Sequence, residues 1–205
     1  MNLAHELEQG VIALGLELSP QARQKLLDYL ALLEKWNKVY NLTAIREPQK
    51  MVSHHLLDSL AVAPHLEAKS LLDVGSGAGL PGIPLAIARK EWQITLLESN
   101  HKKSAFLQQT VMELKLANVS VQNQRVENFK PQKKFDCVIS RAFSDLAEFA
   151  ELAGHLCQGY LAAMKGVYPH EELAQLPQEF RAEVIALRVP GVEAQRHLVI
   201  VRKSA

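Results

Sequence analysis

Three glycines alternating with small residues, placed directly after an apolar run, are the part of this chain best suited to hold a ligand. The run is Leu71-Leu72-Asp73-Val74, and Gly75-Ser76-Gly77-Ala78-Gly79-Leu80-Pro81-Gly82 follows it. Glycine reaches positive φ without steric cost and lets a ligand touch the backbone. Pro81 suits the first turn of a following helix. A loop between a strand and a helix lies beyond the strand's carboxyl end, where open α/β sheets bind ligands. Gly77, Gly79 and Gly82 match the G-x-G-x-x-G spacing of dinucleotide sites. Counted from Gly75, however, the sixth position is Leu80 and that pattern fails. The pattern D-x-G-x-G-x-G, from Asp73 to Gly79, describes the segment better. A second apolar run ends Thr95-Leu96-Leu97-Glu98, which puts an acid 19 residues past Gly79. At about that spacing a carboxylate accepts hydrogen bonds from ribose hydroxyls.

The D-x-G-x-G-x-G segment resembles the first motif of class I S-adenosylmethionine-dependent methyltransferases. The resemblance implies S-adenosylmethionine as methyl donor, held by Asp73, Gly75, Gly77, Gly79 and Glu98. A carboxylate at Asp73 suits a ligand without phosphates and with a positive sulfonium better than it suits a pyrophosphate. In that class the turn after the third strand borders the adenine. Here the turn is Gln124-Arg125-Val126-Glu127, with Val126 placed to pack on the ring and Glu127 near its amine. The exit of the fourth strand, Ser140-Arg141-Ala142-Phe143, faces the methyl group and lacks the Asn-Pro-Pro-Tyr of many adenine amino-methyltransferases. Arg141 is a candidate to position cofactor or substrate, and Phe143 to stack on a base. Cys137 sits mid-run and reads as a core residue, not as the nucleophile of a cytosine-C5 enzyme. No residue is assigned as general acid or base. A target with a free lone pair, such as guanine N7, needs only alignment and a suitable electrostatic environment. A class I methyltransferase for a different target, such as another RNA base or a protein side chain, is the runner-up reading; a nicotinamide or flavin enzyme and a nucleotide-binding regulatory protein on the same scaffold also compete.

These residues need a scaffold, and the apolar pattern supplies one. Leu3, Leu7, Val11, Leu14 and Leu18 recur at helical spacing. Ser19-Pro20 then reads as an N-cap with proline at the first helical position. Leu26, Leu27, Leu30, Leu33 and Trp36 continue a stripe, and a third helix follows Pro48 with Val52, Leu56, Leu60 and Ala63 inward. On that helix His54 and Asp58, and His55 and Ser59, stand at i, i+4, either as surface pairs or as a wall of the substrate site. From Ser70 the period changes. Short apolar runs at 71–74, 94–97, 119–121, 135–139, 160–164, 184–189 and 198–201 alternate at first with helical segments such as 81–89 and 102–116. That order gives an α/β fold: a Rossmann-like, mostly parallel sheet closed by a C-terminal antiparallel hairpin around Pro190-Gly191. The expected division is an N-terminal helical cap, residues 1–65, packed on a methyltransferase domain, residues 66–205.

Composition excludes other classes. The chain has 205 residues, 48% hydrophobic and 22% charged. That is ordinary for a globular protein able to bury a core. No run of about 18 apolar residues suggests a membrane span, and the acidic start at Asn2–Glu6 lacks the pattern of a signal peptide. Two cysteines in apolar surroundings and no zinc-like spacing point to a reducing compartment, the cytoplasm, and to no metal. Net charge is only +1. No basic arm exists, so any nucleic-acid contact rests on local patches or on the shape of a larger assembly.

Longer strings make the resemblance narrower. Lys35-Trp36-Asn37-Lys38-Val39-Tyr40-Asn41-Leu42-Thr43, His55-Leu56-Leu57-Asp58-Ser59-Leu60, Asp73 through Pro84, Ile139 through Phe143, Met164-Lys165-Gly166 and Arg196-His197-Leu198-Val199 span nearly the whole chain. They resemble the bacterial RsmG family (glucose-inhibited division protein B), small-subunit ribosomal RNA guanine-N7 methyltransferases. The resemblance implies methylation of N7 of a guanine in 16S ribosomal RNA, in the loop that includes position 527, with the RNA either free or within the small subunit. It places cofactor contacts on Gly75, Leu80, Val126, Glu127 and Arg141. His55, Asp58, Arg141, Phe143, Lys165 and Arg196 are the candidates to meet RNA. Lys102 and Lys103 are further phosphate-binding candidates.

Overall fold

The structure, a computed structural model, describes residues 2–141, 143 and 145–204; Met1, Ala142 in the fourth-strand exit, Ser144 and Ala205 lie outside the described residues. Seven strands form one sheet: β1 (Ser70–Val74), β2 (Gln93–Leu97), β3 (Val119–Gln122), β4 (Phe135–Ser140), β5 (Cys157–Lys165), β6 (Phe180–Leu187) and β7 (Arg196–Lys203). Their order is β3-β2-β1-β4-β5-β7-β6. β1 to β5 run parallel, and β7 lies antiparallel between β5 and β6. This is the expected mostly parallel sheet with its C-terminal hairpin. The two strands of that hairpin are longer than their apolar runs. β6 is an edge strand of alternating exposure that starts at Phe180 and stops at Leu187, so Val189 is buried beyond it and not within it.

Side chains alternate across the sheet, as a period of two requires. Leu71, Ile94, Leu96, Ile139, Ala162, Leu198 and Ile200 face one apolar core. Leu72, Val74, Leu97, Val138, Leu161, Val199 and Val201 face the other. A register shift between Phe135 and Cys137 lets Phe135 join the second face while Cys137 joins the first. The second face is covered by α7 (Leu146–Ala153), through Leu146 and Phe149, and by Leu173 of α8 (His170–Gln175). The first face carries α5 (Gly82–Ala88), α6 (His101–Glu113) and the N-terminal helices.

Those N-terminal helices are α1 (Leu3–Ala13), α2 (Pro20–Tyr40), α3 (Pro48–Met51) and α4 (Asp58–Leu60). Ser19 caps α2 as its sequence suggests, its Oγ accepting from Ala22 N at 3.2 Å. The third helix departs from expectation. Between α3 and α4 residues Val52–Leu57 form a π-helical segment. The wider turn removes the strict i, i+4 register, and neither His54–Asp58 nor His55–Ser59 forms a surface pair. His54 meets Ser53 Oγ at 2.8 Å, while His55 and Asp58 are buried. Among the described residues no helix is long and apolar enough to cross a membrane. No cluster of three metal-ligating side chains occurs among them either.

Candidate active site

The sheet order reverses between β1 and β4, so the crevice at the carboxyl ends of these strands is the natural ligand site. The glycine loop lies there. Gly75 N and Ser76 N donate to Leu97 O at 2.9 and 3.2 Å, which hooks the loop onto the end of β2. Gly75, Gly77 and Gly79 all have positive φ, at 69°, 59° and 90°, a backbone that other residues adopt only at a cost. Gly77 N donates to Glu98 Oε2 at 2.8 Å, and Gly82 N to Asp73 Oδ2 at 2.9 Å. A Cβ on Gly82 would strike Leu96 and that carboxylate.

Three residues named for the cofactor also support the loop. Asp73 is fully buried, and burial pushes its carboxyl up to about 7 against the pull of the Gly82 N–H and the Arg141 charge. Leu80 is in the core. Glu98 is 7% exposed and accepts from Gly77 N and from Asn100 N, both at 2.8 Å. Asn100 in turn caps α6, accepting from Lys102 N and Lys103 N. That puts the two lysines at the helix start as their sequence position indicates. Sequence reasoning missed a fourth support: Tyr29 of α2 donates its hydroxyl to Ala78 O at 2.7 Å, entirely buried. Its only sequence signal is a phenol on an otherwise apolar stripe.

A pocket of about 340 Å³ opens beside the loop, lined by Gly75, Leu97, Ser99, Val126, Glu127 and Phe143 among others. Val126 and Glu127, the residues expected to border the adenine, are both in its lining. Phe143 belongs to this pocket, its ring stacked 5.0 Å from Phe149, and does not line the second one.

The second pocket, about 470 Å³, lies between the N-terminal helices and the ends of β4, β5 and β7. Its walls include His55, Asp58, Arg141, Lys165, Arg196 and His197. Asp58 is 4% exposed and sits between two arginines: Arg196 Nε at 2.8 Å from Oδ1 and Arg141 at 3.6 Å from Oδ2. Three separate parts of the chain meet at this carboxylate. Lys165 is paired with Glu172 at 2.6 Å and donates to Phe143 O. His55 Nε2 lies 2.9 Å from Thr43 Oγ1, and Asn37 Oδ1 accepts from Thr43 N. Burial, with the Arg141 charge behind it, lowers the His55 imidazole to about 4. The ring is therefore neutral near pH 7.

This architecture has close parallels. The family model described as GidB, rRNA small subunit methyltransferase G, matches residues 22–199. The Ribosomal RNA small subunit methyltransferase G of Nitrosospira multiformis is 54% identical over 214 residues, spanning 100% of this chain and 99% of that protein. The protein of the same name from Laribacter hongkongensis is 55% identical over 202 residues, 97% of this chain and 98% of that one. Among solved structures, the O-methyltransferase TomG of Streptomyces achromogenes, in complex with S-adenosylmethionine, aligns with a TM-score of 0.59 at 16% identity over 100% of both chains. At that identity the likeness speaks to the fold.

Proposed function

The chain belongs to the rRNA small subunit methyltransferase G family, and from that premise we propose that it moves the methyl group of S-adenosylmethionine to N7 of a guanine in 16S ribosomal RNA, in the loop around position 527, in the cytoplasm. The observation that carries the reading is two pockets that meet the exit of β4 from either side, one beside the glycine loop with Phe143 in its lining and one under the N-terminal helices with Arg141 in its wall. The first fits the donor. Leu97, Val126 and Phe143 offer an apolar slot, Glu127 offers an acceptor in its lining, Glu98 stands next in the chain to the lining residues Leu97 and Ser99, and the backbone at Gly77 is open, a Cβ there meeting nothing nearer than Gly75 O at 3.8 Å. When bound, S-adenosylmethionine supplies an electrophilic methyl on sulfur. Gly75 and Gly77 would present backbone to it, Glu98 would accept from the ribose, and Glu127 from the adenine amine.

The second pocket supports a nucleobase acceptor. Arg141 and Arg196, fixed by Asp58, hold donors at its wall. The neutral His55 is engaged with Thr43 and is a poor proton acceptor. Guanine N7 already carries a lone pair, so a site that aligns the base without deprotonating it suffices. The test is to incubate the protein with labelled S-adenosylmethionine and small subunits or 16S RNA from cells that lack it, then map the label. A single N7-methylguanine in the 527 loop is expected; label on another base or on protein overturns the target. For the donor site, Glu98→Ala should weaken S-adenosylmethionine binding, and unchanged affinity would remove Glu98 from it.

A further inference from the structure

Among the described residues few large apolar side chains remain exposed, and four of them form two sequence-adjacent pairs: Val39 and Tyr40, 70% and 42% exposed, and Val167 and Tyr168, 73% and 41%. Val167 and Tyr168 adjoin the wall of the second pocket, and Val39 and Tyr40 precede that wall along the chain. Tyr40 ends α2, and three residues on the chain enters the pocket wall at Thr43–Ile45. Val167 follows Gly166, the wall residue just after β5. Tyr168 stands edge-on to the wall residue His197 at 5.6 Å and lies 4.3 Å from the His170 ring.

Each tyrosine is braced. Tyr40 rests against Trp36 at 5.2 Å, and Trp36 against Phe106 of α6 at 5.6 Å. Tyr168 is held between His170 and His197. A ring already held gives up little freedom when another ring stacks on it. The wall's cations, by contrast, already have acidic partners: Arg141 and Arg196 share Asp58, and Lys165 meets Glu172. Beside these cations the rim also turns the two tyrosine rings outward, ready for another ring to stack on them. Unpaired RNA is held by stacking of that kind. A base drawn into a pocket brings its neighbours across the rim.

We propose that Tyr40 and Tyr168 are stacking platforms for the unpaired nucleotides on the two sides of the target base. The proposal rests on the function argued above. It is tested with small subunits from cells lacking the methylation, comparing wild type with Tyr40→Ala, Tyr168→Ala, the double variant, and the Tyr→Phe variant at each position. Each alanine should weaken binding roughly 5- to 150-fold, the range for losing one stacked base, and the double variant by roughly the product. The phenylalanine variants should bind like wild type. S-adenosylmethionine affinity and the salt dependence of RNA binding should not move, since stacking releases no counterions. With benzoylphenylalanine in place of Tyr168, photocrosslinks should map to RNA within a few nucleotides of the methylated base. Wild-type binding by the double alanine variant, a loss at only one position, phenylalanine variants as weak as alanine, or crosslinks to a ribosomal protein would each overturn it. A wild-type protein that methylates no ribosomal RNA overturns the underlying function instead.

Discussion

Asp73 and His55 are both buried at the site, and burial moves their titrations in opposite directions. Asp73 titrates near 3.8 when unfolded and near 7 when folded. The folded state therefore binds the extra proton between those values, and stability falls as pH rises from about 4 to about 7. Asn in its place still offers an oxygen to Gly82 N but does not ionise. Relative to Asp73→Asn, the wild type should lose up to roughly 4 kcal/mol across that window, read by urea unfolding at several pH values. Equal pH dependence in the two would show that Asp73 is not the group responsible. His55 has the reverse sign. Its folded value near 4 lies below the unfolded 6.5, so the unfolded chain takes up the proton first. Wild type should lose stability relative to His55→Gln as pH falls from 6.5 to 4, by up to roughly 3 kcal/mol. A constant difference across that window would mean the imidazole is not held neutral by the fold.

At the scale of elements, the glycine loop is held from three directions: by Asp73 at its base, by Glu98 from β2 and by Tyr29 from α2. Of these three only the Tyr29 contact comes from the N-terminal helices, so it ties them to the glycine loop. Tyr29→Phe keeps the ring against Phe106 but leaves Ala78 O without its donor. The expected cost is about 1–3 kcal/mol of stability, with a several-fold rise in the dissociation constant for S-adenosylmethionine by calorimetry. Lost stability with unchanged affinity would make Tyr29 a core residue only. The loop itself, the succession of strands and helices along the chain and the Ser19 cap were legible because each depends on local spacing: alternation, glycine placement, a capping side chain. The π-helical segment at Val52–Leu57 was not, since a one-residue widening leaves almost no trace in a stretch apolar on several faces. Nor was Asp58's place between Arg141 and Arg196, whose partners lie 83 and 138 residues along the chain and meet only after the sheet forms. Residue type identified Lys165 and Arg196 as candidates to meet phosphate; tertiary pairing with Glu172 and Asp58 is what a one-dimensional reading has no access to.

For the whole molecule the question is whether the N-terminal helices are a cap that can separate from the sheet. The first apolar core runs from Leu7 and Leu33 through Ile83 and Phe106 to Ile139 and Ile200 without a boundary. Helix α2 packs on α5 and α6, the helices that flank the donor loop. Opening the cap would expose that core and break the Tyr29–Ala78 tie in one event, so partial unfolding at this junction carries most of the cost of unfolding the domain. The chain contains two tryptophans, placed to report on this: Trp36 on α2 and Trp92 just before β2. Trp36→Phe leaves a probe of the sheet, and Trp92→Phe leaves a probe of the helices. In urea each single-tryptophan variant should show a fluorescence transition that coincides with its own loss of far-UV circular dichroism, and S-adenosylmethionine should shift both signals of each variant together. A Trp36 signal lost at lower urea than the bulk of the circular dichroism would show a cap that opens by itself. In that case the pocket proposed for RNA, between helices and sheet, would be gated by that opening, whereas a coincident transition means that the pocket is built whenever the protein is folded.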